Sequence, residues 1–164
     1  MCGIAGIISK ESNLHDLELM IAMIIHRGPD EFGIYIDDQA ALGSARLSII
    51  DPQDGKQPVY DEDRKVALIF NGEIYNHDEL REQLKKKGRA FRTKSDSEVL
   101  LQAYLEYGED FLSFLNGQFA ISIWDQRIET LISARDRVGI RPLFYYESKD
   151  FFIFASEIKA LLTH

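Results

Sequence analysis

The order of elements along this sequence predicts an α+β fold built mainly on antiparallel sheets. Helical spacing is collected between two groups of strands instead of alternating with them one for one. Apolar segments recur from end to end, with no repeat, low-complexity tract or Pro/Gly/Ser-rich linker between them. The length, 164 residues, suits one domain that can bury a core without disulfides or metals. Residues 1 to 164 are therefore read as a single unit.

Residues 3 to 8, GIAGII, read as a short buried strand. In residues 14 to 26 the apolar positions Leu17, Met20, Ile21, Ile24 and Ile25 recur at three- and four-residue steps, which places them on one helical face. Asn13 is a candidate cap, and His26, Arg27, Gly28 and Pro29 end the segment. Strands are expected at 32 to 37, 41 to 49 and 66 to 70, the last apolar throughout, as a strand covered on both faces would be. Asn76 with Glu79, and Ser95 with Glu98, each place a polar cap three residues before a glutamate and predict two helix starts. A short helix near 109 to 115 follows, then strands at 118 to 125, 129 to 135, 143 to 147 and 151 to 155, and a short helix from Ser156.

Composition narrows the function classes. The chain is 45% hydrophobic, 28% charged and 11% aromatic, and no apolar run approaches the ~20 residues of a membrane-spanning helix. MCGIAGIISKES lacks the basic lead and apolar length of a secretory signal, so a cytoplasmic location is the default. A net charge of -8 argues against nucleic acid as a partner, because phosphate binding draws on clustered Lys and Arg. The one basic run, Lys85 to Lys87, reads as the solvated end of a helix. A single cysteine excludes an internal disulfide and a cysteine-rich zinc site, leaving a buried small side chain or a reactive thiol.

The position of that cysteine matters chemically. Removing Met1 leaves Cys2 with both a thiol and a free α-amine, so nucleophile and base coincide in one residue. The thiolate is the reactive form. With a free thiol pKa of ~8.5 and an α-amine of ~7.7 to 8.0, the neutral amine can accept the thiol proton near neutral pH. Taken alone, Cys2 reads more readily as inert packing.

Its company changes that reading. Met1-Cys2-Gly3-Ile4-Ala5-Gly6 resembles the start of class II amidotransferases, which are N-terminal nucleophile hydrolases. Then come His26-Arg27-Gly28-Pro29-Asp30, Arg46 to Asp51 (RLSIID), Asn71 to Asn76 (NGEIYN), Ser95-Asp96, Ala134 to Arg137 (ARDR) and Ala155 to Leu161 (ASEIKAL). In this order and spacing they resemble the glutamine-hydrolysing domain of asparagine synthetases, and the resemblance spans almost the whole chain. Phosphoribosylpyrophosphate and glucosamine-phosphate amidotransferases share the Cys2 start but resemble the segments at 26 to 30 and 71 to 76 less well.

The resemblance implies a four-layer αββα sandwich in which glutamine is hydrolysed to glutamate and ammonia through a thioester on Cys2. It makes Asn71 and Gly72 the oxyanion donors, through a side-chain amide and a backbone N–H. Arg46 would take the substrate α-carboxylate, which suits its planar fork, and Asp96 the α-ammonium. Leu47, Ser48, Ile49, Ile50 and Glu73 would line the glutamine pocket, largely through their backbone.

Each role has a plain structural counterpart. Asn71-Gly72 is also a common hairpin-turn signal after a strand, Arg46 could be a surface residue in an ion pair, and Asp96 suits the first turn of a helix. His26 and Arg27 are assigned to supporting the loop beside the nucleophile strand. Ser44 departs from the family pattern, which often has His two residues before the arginine, and this bears on the local pocket wall.

No metal or cofactor is expected for this domain. An asparagine synthetase also needs a second domain that activates aspartate with ATP and Mg, and no Ser-Gly-Gly pyrophosphate loop occurs in this sequence. The expected partners are L-glutamine and a synthetase domain or subunit that receives ammonia. A homodimer is a further assembly that the resemblance allows. The chain then reads as a fragment, shortened at its C-terminus, or as one half of a two-part system. Two other readings stay open: the glutaminase of another class II amidotransferase with a different acceptor, and a glutamine-binding scaffold without turnover, for example one whose Met1 is never removed.

Overall fold

The computed structural model describes residues 2–10, 14–47 and 55–163. Strand alternation, which sends successive side chains to opposite faces, arranges these residues into two antiparallel sheets. The first contains β1 (Gly3–Ser9), β2 (Glu31–Ile36), β3 (Ala40–Arg46), β8 (Phe144–Glu147) and β9 (Phe151–Ala155), in the order β2-β3-β1-β9-β8. The second contains β4 (Val59–Tyr60), β5 (Val66–Ile74), β6 (Gly117–Asp125) and β7 (Thr130–Arg135), in that order. Every pairing is antiparallel.

Three apolar layers hold these sheets and the helices together. On β1, Ile4 faces the second sheet and meets Ala67, Ile69, Ala120 and Trp124, while Ala5 and Ile7 face the helices. There they pack on Leu17, Met20, Ile21 and Ile24 of α1 (Leu14–Ile24) and Ala160 of α4 (Ile158–Leu161). Fully burying a side chain of the Leu or Ile class contributes about 1.5–3 kcal/mol, so this one helical face anchors α1. Across the molecule, Leu68, Phe70 and Ile74 of β5 pack on Leu80 and Leu84 of α2 (His77–Lys86) and on Val99, Leu100 and Ala103 of α3 (Asp96–Tyr107). The layers therefore run helix, sheet, sheet, helix, the αββα sandwich that the resemblance implies.

The predicted elements are present, with boundaries moved for identifiable reasons. The helix expected to run to residue 26 ends at Ile24, and its last residues form a 3-10 turn, Ile25–Arg27. The expected helix near 109 to 115 is likewise a 3-10 segment, Gly108–Phe114. The two-residue strand β4 is too short to leave a periodic signal. Asn13 and residues 48 and 49 of the expected third strand lie outside the described residues.

Two local readings are corrected. Asn76 makes no side-chain cap for α2. Its amide instead ties the α2 start to the approach of β6, accepting from Asn116 N (2.9 Å) and donating to Phe114 O (2.9 Å). Asn71-Gly72 is not a turn: β5 continues through both residues to Ile74, paired with β6 at Asn71↔Ala120 and Gly72↔Phe119. Glycine is required at 72 because a Cβ there would collide with the backbone of Gln118 and Phe119. Ser95, by contrast, caps α3 as expected, accepting from Glu98 N at 3.3 Å.

One carboxylate fixes the turn after β7. Asp136 accepts from the backbone N–H groups of Phe119, Val138, Ile140 and Arg141 at 2.9–3.2 Å. Burial tends to raise its pKa, but these donors together hold it below the usual value. Four orphaned donors make Asp136→Ala costly, by about 3 kcal/mol in urea denaturation. Because the folded-state pKa is depressed, this stability is present above the unfolded value of ~3.9 and is lost as pH falls through the folded one. The wild-type advantage over Asp136→Ala should shrink in acid.

Candidate active site

Cys2 enters the first sheet one residue before β1. Its carbonyl accepts from Arg27 Nε at 3.0 Å, and Arg27 Nη1 bonds Glu157 Oε1 at 2.9 Å. His26 Nε2 lies 3.0 Å from the same carboxylate oxygen. Burial would raise the Glu157 pKa, yet hydrogen bonds from Arg27, Lys159 and His26 outweigh it and hold the group down to about 2. Glu157 is thus an anion at neutral pH; Arg27 supports the Cys2 segment directly, and His26 joins it through Glu157. The Cys2 Sγ lies 3.5 Å from Leu47 N, a donor suited to the thiolate.

Ser44 and Arg46 continue the face of β3 that carries Ala40 and Leu42 toward the second sheet. Arg46 is not a surface residue. It is 4% exposed, and its Nη1 meets Glu31 Oε2 at 3.2 Å. A buried guanidinium in a cleft is costly unless anions balance it, which makes it a natural receptor for a carboxylate ligand. Ser44 Oγ, beside it on the same face, is buried with no hydrogen-bond partner.

The second sheet carries the candidate donors Asn71 and Gly72 on β5. Asn71 is 1% exposed, and its Nδ2 is buried without a hydrogen-bond partner. The position of Gly72 N–H follows from the ladder. Its cross-strand neighbour Phe119 spends both backbone groups on Asp136, donating to Oδ2 (3.2 Å) and accepting from N (2.8 Å). Gly72 and Phe119 therefore form a non-hydrogen-bonded pair, and the Gly72 N–H is turned toward the outer edge of β5. On that edge Phe70 N donates to Gln57 Oε1 (2.7 Å) and Ile74 N donates to Asp96 Oδ2 (3.2 Å). Gly72 lies between them, where β4, paired only to Leu68 and Ala67, no longer covers the strand.

Asp96 opens α3 and is 5% exposed. Burial raises its pKa, against the opposing pull of the Ile74 N–H and the charge on His77. Helix start and cleft wall are one position here, so the helix-dipole reading and the ligand reading describe the same group.

Cys2, Arg46, Leu47, Asn71, Gly72, Glu73 and Asp96, drawn from both sheets and from the start of α3, line a single cavity of about 160 Å³. Ser48, Ile49 and Ile50 lie outside the described residues. Gln57, Ser97 and Arg141 also line the cavity and escaped the sequence reading. Ser97 follows Asp96 directly, which was a usable signal, whereas Gln57 and Arg141 arrive from loops that nothing local ties to Cys2.

A family model described as the glutamine amidotransferase domain matches residues 1–164. The chain belongs to that family. Among curated relatives, the glutamine-hydrolysing asparagine synthetase 1 of Bacillus subtilis is 46% identical over 168 residues, covering 99% of this chain and 27% of the relative. Asparagine synthetase 2 of Arabidopsis thaliana is 44% identical, covering 98% and 28%. The chain thus spans under a third of the length of these relatives. Among solved structures, the glutamine phosphoribosylpyrophosphate amidotransferase of B. subtilis, complexed with ADP and GMP, superposes with a TM-score of 0.82 at 25% identity. It covers 99% of this chain and 43% of that one. The glutamine amidotransferase domain described here therefore has the N-terminal nucleophile hydrolase fold of that enzyme, with its cavity lined by Cys2 beside one sheet and Asn71 on the other.

Proposed function

We propose that this domain hydrolyses L-glutamine to glutamate and ammonia through a thioester on Cys2. The observation that carries the reading is the meeting of a thiol at residue 2 with a buried, unpartnered Asn71 amide and an outward Gly72 N–H on one cavity. With Met1 removed, the Cys2 α-amine takes the thiol proton and the thiolate adds to the substrate Cδ. The amide oxygen becomes an oxyanion, held by Asn71 Nδ2 and Gly72 N–H. As the C–N bond breaks, the α-ammonium returns its proton and ammonia leaves. Water, deprotonated by the same amine, then cleaves the thioester, giving glutamate and the free thiol. Leu47 and Glu73 line the pocket, as Ser48, Ile49 and Ile50 would by resemblance.

The test is direct. Met1-free protein should release glutamate from glutamine, and a diazo-ketone glutamine analogue should add covalently to Cys2. No release and no adduct from a folded, Met1-free protein would favour a glutamine-binding scaffold instead.

Arg46 and Asp96 are proposed to hold the α-carboxylate and α-ammonium. Losing one charge-assisted contact costs about 1.5–3 kcal/mol, so Arg46→Ala should lower kcat/KM by roughly 10- to 150-fold. Asp96→Asn is cleaner than Asp96→Ala because it keeps an acceptor for Ile74 N–H, and a loss of similar size is expected. Unchanged kcat/KM in both leaves them structural roles only. The raised Asp96 pKa adds a pH dependence. Only the carboxylate binds the ammonium, so glutamine affinity should weaken as pH falls through that value, sooner than for an ordinary aspartate. Calorimetry on Cys2→Ala protein reads this without interference from turnover. An acid limb no higher than the usual ~3.9 would contradict it.

We assign the ammonia to a synthetase domain of the kind that the relatives carry, where ATP and Mg would activate aspartate. Identity of 46% to an asparagine synthetase, against 25% to a phosphoribosylpyrophosphate amidotransferase, supports that acceptor. A cytoplasmic location and a homodimer belong to the same reading. No helix among the described residues is long and apolar enough to cross a membrane. Adding a separately expressed synthetase partner with aspartate, ATP and Mg should yield asparagine in step with glutamate.

A further inference from the structure

We infer that Gln57 is a positioning residue for the oxyanion donors, an inference that rests on the glutaminase reading above. The outer edge of β5 turns out the N–H groups of Phe70, Gly72 and Ile74, and beyond Leu68 no strand among the described residues covers it. An uncovered strand end is free to twist, and Asn71 and Gly72 occupy it. Two side chains take the place of the absent strand. Asp96 accepts from Ile74 N, and Gln57 Oε1 accepts from Phe70 N at 2.7 Å in a buried hydrogen bond. The Gln57 contact falls on the N–H of Phe70, the residue immediately before Asn71, so it steadies the strand from which Asn71 and the Gly72 N–H project.

Gln57 is itself held. It is 9% exposed, and its carbonyl lies so close to Gly33 of β2 that a Cβ there would collide with it. The pin therefore runs from the first sheet, through Gln57, to the β5 edge of the second. The two sheets carry the nucleophile and the oxyanion donors respectively, and Gln57 fixes their relative placement while also lining the cavity between them. Asp96 serves as the other pin and as a ligand for substrate. Gln57 needs no substrate contact to act.

The role makes a split prediction. Gln57→Leu removes the acceptor with little change in size and should lower kcat for glutamine about 10- to 100-fold, with KM within about threefold. Gln57→Glu restores an acceptor for Phe70 N–H and should bring kcat back to within about threefold of wild type. Alkylation of Cys2 by iodoacetamide, which needs no oxyanion donor, should proceed at the wild-type rate in both. A merely structural Gln57 would instead lower the melting temperature in Gln57→Leu while leaving kcat intact, which would overturn the inference. So would a kcat loss that Gln57→Glu does not rescue, or one matched by equal loss of Cys2 alkylation. A wild-type domain with no glutamate release would remove the glutaminase reading and this inference together, whereas active wild type with unaffected Gln57→Leu removes this inference alone.

Discussion

Cys2→Ala is expected to remove glutamine turnover, by roughly 10⁴-fold or more, while leaving the fold in place. The size follows from covalent catalysis, where deleting the nucleophile leaves only what binding and the oxyanion donors achieve. The fold should survive because the side chain is only partly buried, and its thiol makes long contacts, 3.5 and 3.8 Å, to Leu47. The anchoring of this segment runs through the Cys2 carbonyl and Arg27, which the substitution leaves intact. Circular dichroism and melting should therefore match wild type. Undiminished glutamate release from well-folded Cys2→Ala protein would sink the mechanism.

The same chemistry predicts that Met1 must leave. With Met1 attached, the Cys2 nitrogen is an amide whose lone pair is delocalised, so it cannot act as a base near neutral pH. A preparation retaining Met1 should be nearly inactive. Methionine aminopeptidase should restore activity in proportion to the Met1-free fraction seen by mass spectrometry. Full activity with Met1 wholly retained would require another base, and His26, joined to Cys2 through Glu157 and Arg27, is the first group to examine.

Asn71→Ala should lower kcat by about 100- to 1000-fold, the usual consequence of losing one oxyanion donor. What separates this from general damage is the expected stability. Asn71 Nδ2 is buried with no partner, so in the resting domain it contributes desolvation cost without a compensating bond. Removing it should change stability by no more than about 1 kcal/mol in either direction. The pattern to look for is a large fall in kcat with a nearly unchanged denaturation midpoint. A melting loss that accounts for the lost activity would return Asn71 to a structural role.

Periodicity, apolar runs and cap signals together recovered most strands and the main helices, because a half-buried element carries a repeat of two or near 3.6 and a strand covered on both faces is apolar throughout. The α1 face is the clearest case: Leu17, Met20, Ile21 and Ile24 fall into one layer as their spacing demands. The Ser95 cap was legible for the same local reason. Asn71-Gly72 was not. As a dipeptide it signals a turn, and only the closeness of β6, which leaves no room for a Cβ at 72, makes it strand. Asn76 failed as a cap because its amide found partners at Asn116 and Phe114.

For the site the division is similar. The resemblance carried by the ordered motifs singled out Cys2, Arg46, Asn71, Gly72 and Asp96 as candidates, whereas the side chains alone left a plain structural reading open for each. Their convergence was not in the sequence. It follows from two sheets packed face to face, which bring residue 2 and residue 71 to one cavity, and from Asp136 and Gln57, side chains that take up backbone donors left by neighbouring strands. A hydrogen bond between residues distant in sequence leaves no periodic trace, so which N–H groups are occupied and which one is left for substrate was decided by tertiary structure alone.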